Sequence, residues 1–265
     1  MTTADRPASS SNNIRVSVID VGKGDCILIQ AGELAALIDT GYEKTSDKVA
    51  SYVRKQGVSH LEFLVVTHYD RDHVGGVRAL GGSFSIGTVF LPAYEGADKN
   101  YRSLMKAVNE LGLNTQRVHE ELSLQLGNAH FSLIPSSVEF VPDAKGNEGN
   151  DNDLSLVAML TCGNDSYLFT GDLEEDGIAA YLNNRRGQFD VLKVPCHGEK
   201  CSNTDELLED VKPRIAVITD STDDPASKKT LKLLGEIGAT TYTTKDCGTV
   251  VIESNGTSAY TISHE

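Results

Sequence analysis

Apolar and polar positions alternate from Ile14: Val16 and Val18 follow it, with Arg15 and Ser17 between. Two short apolar runs, Cys26 to Ile29 and Leu34 to Ile38, come next across glycine-containing turns. Period-two alternation and short runs bounded by Gly predict three strands in an antiparallel meander. A helix is expected after them, with Ser46 at its cap, Val49, Tyr52 and Val53 on one face, and Gly57 at its left-handed end. Leu61 to Val66 and Ile86 to Leu91 read as buried strands with a helix start at Gly75-Gly76 between them. Tyr101, Leu104, Met105, Val108 and Leu111 hold helical spacing up to Gly112.

From Ser136 to Asp153 periodicity fades into Pro, Gly, Asn and Asp, which predicts a long loop of the kind that is functional or disordered. The plan then repeats in outline. Strands are expected at Leu154 to Thr161, Tyr167 to Phe169 and Val191 to Val194, with a helix from Leu173 to about Asn183. Ile215 to Thr219 reads as a strand, Leu231, Leu234 and Ile237 as a helix face ending at Gly238, and Val250 to Ile252 and Tyr260 to Ile262 as final strands. Two halves of strands followed by helices imply an α/β fold of two face-to-face sheets with helices outside. No linker is visible, so residues 14–265 are expected to form one domain after a polar, disordered tail, residues 1–13.

Composition narrows the function. The chain of 265 residues has 24 Lys+Arg against 38 Asp+Glu, a net charge of −14, so a broad basic surface gripping nucleic acid nonspecifically is excluded. A phosphate substrate is not, because carboxylates gathered around cations count as negative charge in the sequence. Five scattered cysteines, no apolar run long enough to span a bilayer and no secretory leader predict a reducing, cytoplasmic setting without a membrane partner.

The candidate chemistry starts at Thr67-His68-Tyr69-Asp70-Arg71-Asp72-His73-Val74-Gly75-Gly76. Two His and two Asp within six residues, after a buried strand and before a helix start, can all turn inward on one point, as a metal site requires. Thr170-Gly171-Asp172 and Pro195-Cys196-His197-Gly198 also follow strands and supply two more donors, completing a set of six.

These segments, with Asp20-Val21-Gly22-Lys23-Gly24-Asp25 and Leu37-Ile38-Asp39-Thr40-Gly41, resemble the metallo-β-lactamase superfamily. The similarity is strongest to the ComEC-like branch, found in the hydrolase domain of DNA-uptake proteins, and to the phosphorylcholine esterases. The resemblance covers nearly the whole globular part. It implies an αββα sandwich with a dinuclear metal site at one sheet edge. His68 and Asp70 would serve one ion, Asp72, His73 and His197 the other, with Asp172 between them and Asp72 and Asp172 closest to the chemistry. With Asp70 where the wider superfamily has His, the donors are three carboxylates and three imidazoles, so Mn or Mg competes with Zn. Asp20, Asp39 and Asn152 are expected to support the ligands. Lys23, Arg71, Glu174 and Lys200 flank the motifs as candidate substrate contacts. Departures from the branch are Lys23 for a common Gln, Cys196 for the first of two adjacent histidines, and Asp224-Pro225 where a Gly-His-Pro segment is usual.

A pair of divalent ions can hold a hydroxide, orient a phosphoryl or carbonyl oxygen and stabilise the charge on entering and leaving oxygens. The leading expectation is therefore a metal-dependent phosphodiesterase or nuclease acting on DNA, RNA or a nucleotide. A hydrolase of another ester (phosphocholine ester, lactone or thioester) and a non-catalytic module of the same fold stay open.

Overall fold

The computed structural model describes residues 13–143 and 149–265, so all but Asn13 of the polar N-terminal stretch lies outside the described residues. Two mixed sheets stack face to face. The first has eight strands in the order Tyr260–His264, Val250–Ser254, Ile14–Val18, Ile27–Ala31, Leu34–Ile38, His60–Val65, Ser85–Pro92 and Thr115–Val118. Pairing is antiparallel up to Leu34–Ile38 and parallel beyond it. The second has seven, Thr240–Thr243, Ile215–Ile218, Val191–Lys193, Asp165–Phe169, Val157–Cys162, Ala129–Ile134 and Leu122–Leu126. Its first three pairings are parallel and the rest antiparallel. Each sheet thus changes sense once, and at those changes the chain leaves the strands in one direction, toward a shared edge.

Three apolar layers follow from the two-residue period of the strands. Val16, Ile29, Val65, Phe131 and Phe169 point between the sheets. Leu28, Leu37, Leu64 and Val66 point from the first sheet into the helices Ser46–Lys55, Val77–Gly81 and Lys99–Leu111. Leu168, Leu192 and Ile218 point from the second into Glu175–Asn184, Thr204–Val211 and Lys228–Glu236. Being covered on both faces, the central strands read as continuous apolar runs. Among the described residues no helix is long and apolar enough to cross a membrane.

Most expected elements form, with instructive shifts. Ser46 is the first residue of its helix and not its cap; its hydroxyl donates back to Glu43 O at 2.7 Å. Asp98 caps Lys99–Leu111 by accepting from the Asn100 and Tyr101 amides at 2.8 Å each, and Gly112 ends it left-handed at φ 62°. The strand expected from Leu154 begins only at Val157, because Asp151–Leu154 is a short 3-10 turn. The Asp153 carboxylate accepts from the Glu174 and Gly177 amides, so it is committed to the start of the next helix. Of the long loop, the described part closes on itself: Asn150 accepts from Val141 N and donates to Glu139 O. Strands at Thr115–Val118, Leu122–Leu126 and Ala129–Ile134 extend the sheets beyond the expected set.

Phe131 meets Phe63 edge-on at 5.2 Å, and Phe63 meets Phe90 at 5.9 Å, which locks the two sheets together at mid-core. Phe131→Ala should destabilise the fold by about 3–5 kcal/mol through the cavity it leaves, read as a lowered urea midpoint with an unchanged slope.

Candidate metal centre

Every candidate ligand lies just past the C-terminal end of a strand. Leu34–Ile38 delivers Asp39, His60–Val65 the segment from Thr67 to His73, Asp165–Phe169 delivers Asp172, Val191–Lys193 delivers His197, and Ile215–Ile218 delivers Thr219. Backbone bonds fix these loops to one another: Thr40 N donates to His73 O at 2.7 Å, Asp25 N to Asp72 O at 3.1 Å, and Leu156 N to Thr67 O at 2.8 Å. Two glycines permit the approach. A Cβ on Gly24 would stand 2.8 Å from Asp72 O, and one on Gly171, at φ 52°, would stand 2.8 Å from Ser155 Oγ.

The three imidazoles are held in the same way. His73 Nδ1 lies 2.8 Å from Asp39 Oδ2. His197 Nδ1 lies 2.9 Å from Thr219 Oγ1, which donates to Asp25 Oδ1 at 2.7 Å. His68 Nδ1 lies 3.1 Å from Thr67 Oγ1 and 3.3 Å from Ser155 Oγ. With each Nδ1 engaged, all three Nε2 atoms face inward, and among the described residues none of these buried atoms makes an aligned hydrogen bond. The nearest carboxylate oxygens are Asp172 Oδ2, 2.8 Å from His197 Nε2 and 3.4 Å from His73 Nε2, and Asp72 Oδ2, 3.4 Å from His197 Nε2. Asp70 Oδ2 is 3.8 Å from His68 Nε2. Donor atoms of His68, His73 and Asp172 gather within 4.8 Å of one another, and so do those of Asp72, His73 and His197. Inward, unpartnered Nε2 atoms backed by oriented Nδ1 atoms and surrounded by carboxylates fit divalent metal ions.

Electrostatics point the same way. Burial holds His68 well below its usual pKa, and the neighbouring His73 adds to this. Burial also opposes charge on His73 and His197, but Asp172 outweighs it at both, helped by Asp39 at His73 and Asp72 at His197, so both are raised. Burial would raise Asp72, yet His197 and His73 bring it to about 2. Asp172, also buried, is drawn well below the carboxylate range by His197, His73 and Lys193. The centre favours positive charge: His73 and His197 both hold a proton more readily than a free imidazole does.

Several expected residues stand elsewhere. Asp20 does not reach an imidazole: it accepts from Lys48 Nζ at 2.7 Å and from Gly22 N in its own turn. Five residues later the chain has turned inward, and buried Asp25 takes that supporting place. Lys23 lies at the cavity wall, but Asp224, at 2.7 Å, and Glu199 occupy its ammonium, so it straps loops together and is not an open phosphate contact. This also gives Asp224, one of the departures, a role. Lys200 turns to Cys201 O and Asp205 and lines a separate depression with Asp224 and Lys228. Glu174 accepts from Asn152 Nδ2 at 3.0 Å, while buried Asn152 Oδ1 has no hydrogen-bond partner among the described residues. Arg71, exposed, lines the cavity of about 400 Å³ that Asp70, Asp72 and Lys99 share. Cys196 Sγ faces Glu174 at 3.6 Å and Cys201 Sγ faces Thr204, so the two thiols do not converge.

Asp25, Lys193, Thr219, Thr67 and Ser155 were not singled out by sequence. Buried Lys193 is the most consequential: its ammonium lies 2.7 Å from Asp25 Oδ2, 3.2 Å from Gly171 O and 3.4 Å from Asp172 Oδ1. Burial works against its charge, but Asp25 and Asp172 raise its pKa above the usual lysine value. A lysine inside the apolar run Val191 to Val194 was the available signal, since lysine is almost never buried without partners.

A sandwich of this topology, with five acidic residues and three histidines at one edge, defines a metallohydrolase-type site. The metallo-beta-lactamase superfamily model matches residues 19–219, and the chain belongs to that superfamily. It is 26% identical over 232 residues to ComE operon protein 3 of Bacillus subtilis (strain 168), covering 80% of this chain and 29% of the relative. It is 29% identical over 210 residues to Recombination protein 2 of Haemophilus influenzae, covering 77% and 24%. The chain therefore spans under a third of the length of these curated relatives. The metallo-beta-lactamase fold protein YhfI from Bacillus subtilis has the same fold, with a TM-score of 0.62 at 14% identity over 91% of this chain and all of that one.

Two outcomes follow. Thr219→Val removes the link between Asp25 and His197 and should weaken metal binding about 10–100-fold, measured by competition with a chromophoric chelator. Since His73 and His197 hold protons above their usual range, metal must displace them. Affinity should rise with pH across neutrality, by roughly tenfold per unit for each proton released, and calorimetry in buffers of different ionisation enthalpy should register the release.

Proposed function

We propose that this protein is a dinuclear metal-dependent phosphodiesterase acting on a nucleic acid or nucleotide. The observation that carries this reading is the convergence of three inward imidazole Nε2 atoms on an acidic cluster beside a cavity that Arg71 and Lys99 line together with Asp70 and Asp72. Asp25, Asp39, Asp70, Asp72 and Asp172 are five carboxylates against the single buried ammonium of Lys193. The four negative charges left over equal the charge of two divalent cations.

His68 and Asp70 would hold one ion, Asp72, His73 and His197 the other, and Asp172 both. Three imidazoles with three carboxylates suit Mn or Zn, and Mg less well. Such ions supply Lewis-acid polarisation of a phosphoryl oxygen and a sink for charge on the entering and leaving oxygens. The chain's own groups do the rest. Asp39, Thr219 and Asp25 keep the imidazoles oriented. Lys193 turns one oxygen of Asp172 away and leaves Oδ2 toward His73 and His197. Arg71 and Lys99, on the wall beside Asp70 and Asp72, bind and orient the phosphodiester.

The relatives' names refer to the ComE operon and to recombination, which favours DNA over other esters. Arg71 and Lys99 beside the centre also favour a phosphodiester over an uncharged lactone or thioester.

Mn, Mg, Zn and no metal should be crossed with single-stranded DNA, duplex DNA, RNA, cyclic nucleotides and a chromogenic phosphodiester. We expect two ions per chain, metal-dependent turnover of a nucleic-acid substrate, and a loss on the order of 10³-fold in Asp172→Ala. No phosphodiester turnover by protein carrying two ions would defeat the reading.

A further inference from the structure

Arg71 stands on a wall between two cavities. On one side is the space beside Asp70 and Asp72. On the other is a cavity of about 340 Å³ between the turn Glu43–Thr45 and the helices Val77–Gly81 and Lys99–Leu111. Tyr42, Arg71 and Asn100 line both, so a ligand seated at the first can extend past the Tyr42–Arg71 pair into the second. The floor of the second is apolar and buried, made by Val74, Val77, Leu104 and Ala107. Its rim carries Lys44 and Arg71 with Glu43, and Arg78, whose guanidinium is paired with Glu110. The Arg71 guanidinium lies 5.7 Å and the Lys44 ammonium 4.9 Å from the centre of the Tyr42 ring.

We propose that this second cavity is a nucleoside site, seating the base next to the phosphodiester bound at the metal centre. The inference rests on the phosphodiesterase reading and names the part of the substrate that reading leaves open. A flat, weakly polar ring suits an apolar floor whose entrance offers an aromatic face and a guanidinium plane, the two surfaces on which unpaired bases stack. The volume lies in the range of small-molecule sites. Rim charge separates this occupant from the main competitor: a quaternary ammonium such as choline would enjoy the Tyr42 face but meet Lys44 and Arg71 there, whereas a nucleotide brings the phosphate they attract. Ser103 at the mouth and Asn100 on the shared wall carry polar side chains that can address the base edge.

The test compares binding of 2′-deoxyadenosine 5′-phosphate and of 2-deoxyribose 5-phosphate to the purified, metal-loaded protein by calorimetry. The pair differs only in the base, and binding is read without turnover. The nucleotide should bind at least about tenfold tighter than the sugar phosphate. Tyr42→Ala, which removes the stacking face, should collapse that ratio toward one. Ser103→Trp should do the same by filling the cavity from an exposed helix position, and it guards against a Tyr42→Ala variant that fails to fold. Equal binding of the two ligands by the wild type, or a ratio unchanged in folded Ser103→Trp, overturns the nucleoside site. If phosphodiesters are hydrolysed while the ratio is one, the proposed function stands and this inference falls. If the ratio is large and responds to the variants while no phosphodiester is hydrolysed, the nucleoside site stands and the hydrolytic reading falls.

Discussion

Concentrated negative charge at one sheet edge is the constraint around which the rest of the molecule is arranged. Asp25, Asp39 and Asp172 are buried, Asp70 and Asp72 adjoin them, and Lys193 is the one buried ammonium among them. Taking an ion out of water costs several kcal/mol even after the protein relaxes, so such a cluster persists only if something cationic balances it. The chain does part of this with Lys193. The rest falls to whatever cation occupies the inward Nε2 atoms. Stability of the sheet edge and capacity to bind metal are therefore one property: the same unbalanced carboxylates limit the first and create the second.

The fold meets this constraint by distributing the charge over independent strands. No single loop holds all the donors. Each sheet presents its ligand candidates past the C-terminal ends of the strands where pairing changes from antiparallel to parallel. The donors are consequently anchored in two separate apolar layers, and shifting one requires shifting a strand packed on both faces. The backbone is bent to suit: Asp39, Cys196 and His197 all lie at positive φ, between 46° and 55°. Two consecutive non-glycine residues in that region cost roughly 1–3 kcal/mol each, which the packing of Val191–Lys193 and Gly198 around them must offset. The strain brings His197 Nε2 to 2.8 Å from Asp172.

What the sequence made legible divides along the same line. His68, Asp70, Asp72, His73, Asp172 and His197 stood out because polar donors directly follow apolar runs, and the αββα architecture followed from two rounds of strands and helices. The supporting groups did not. Thr219 and Ser155 look like ordinary strand-end residues, Lys193 sat inside a run read as a buried strand, and Asp20 was expected in the supporting place that Asp25, beyond the turn at Gly22, takes. The missed hairpin from Leu122 to Ile134 had a readable signal, since Leu122, Leu124 and Leu126 alternate with Ser123 and Gln125 before Gly127-Asn128. Identity of a ligand is a local property of sequence, whereas orientation of a ligand is set by contacts such as Thr219 to Asp25, 194 positions apart.

The surroundings of the candidate centre are asymmetric. Toward the second sheet, Glu174 and Asn152 face the edge, and Cys196 stands at 3.6 Å from Glu174. Toward the first sheet, Arg71 and Lys99 line the cavity, and Arg71 begins the helical turn that also carries Asp72 and His73. Arg71 and Lys99 thus place positive charge on the first-sheet side of the candidate centre. Arg71 shares its backbone turn with two metal-ligand candidates, so the same turn sets where its side chain and theirs leave the backbone.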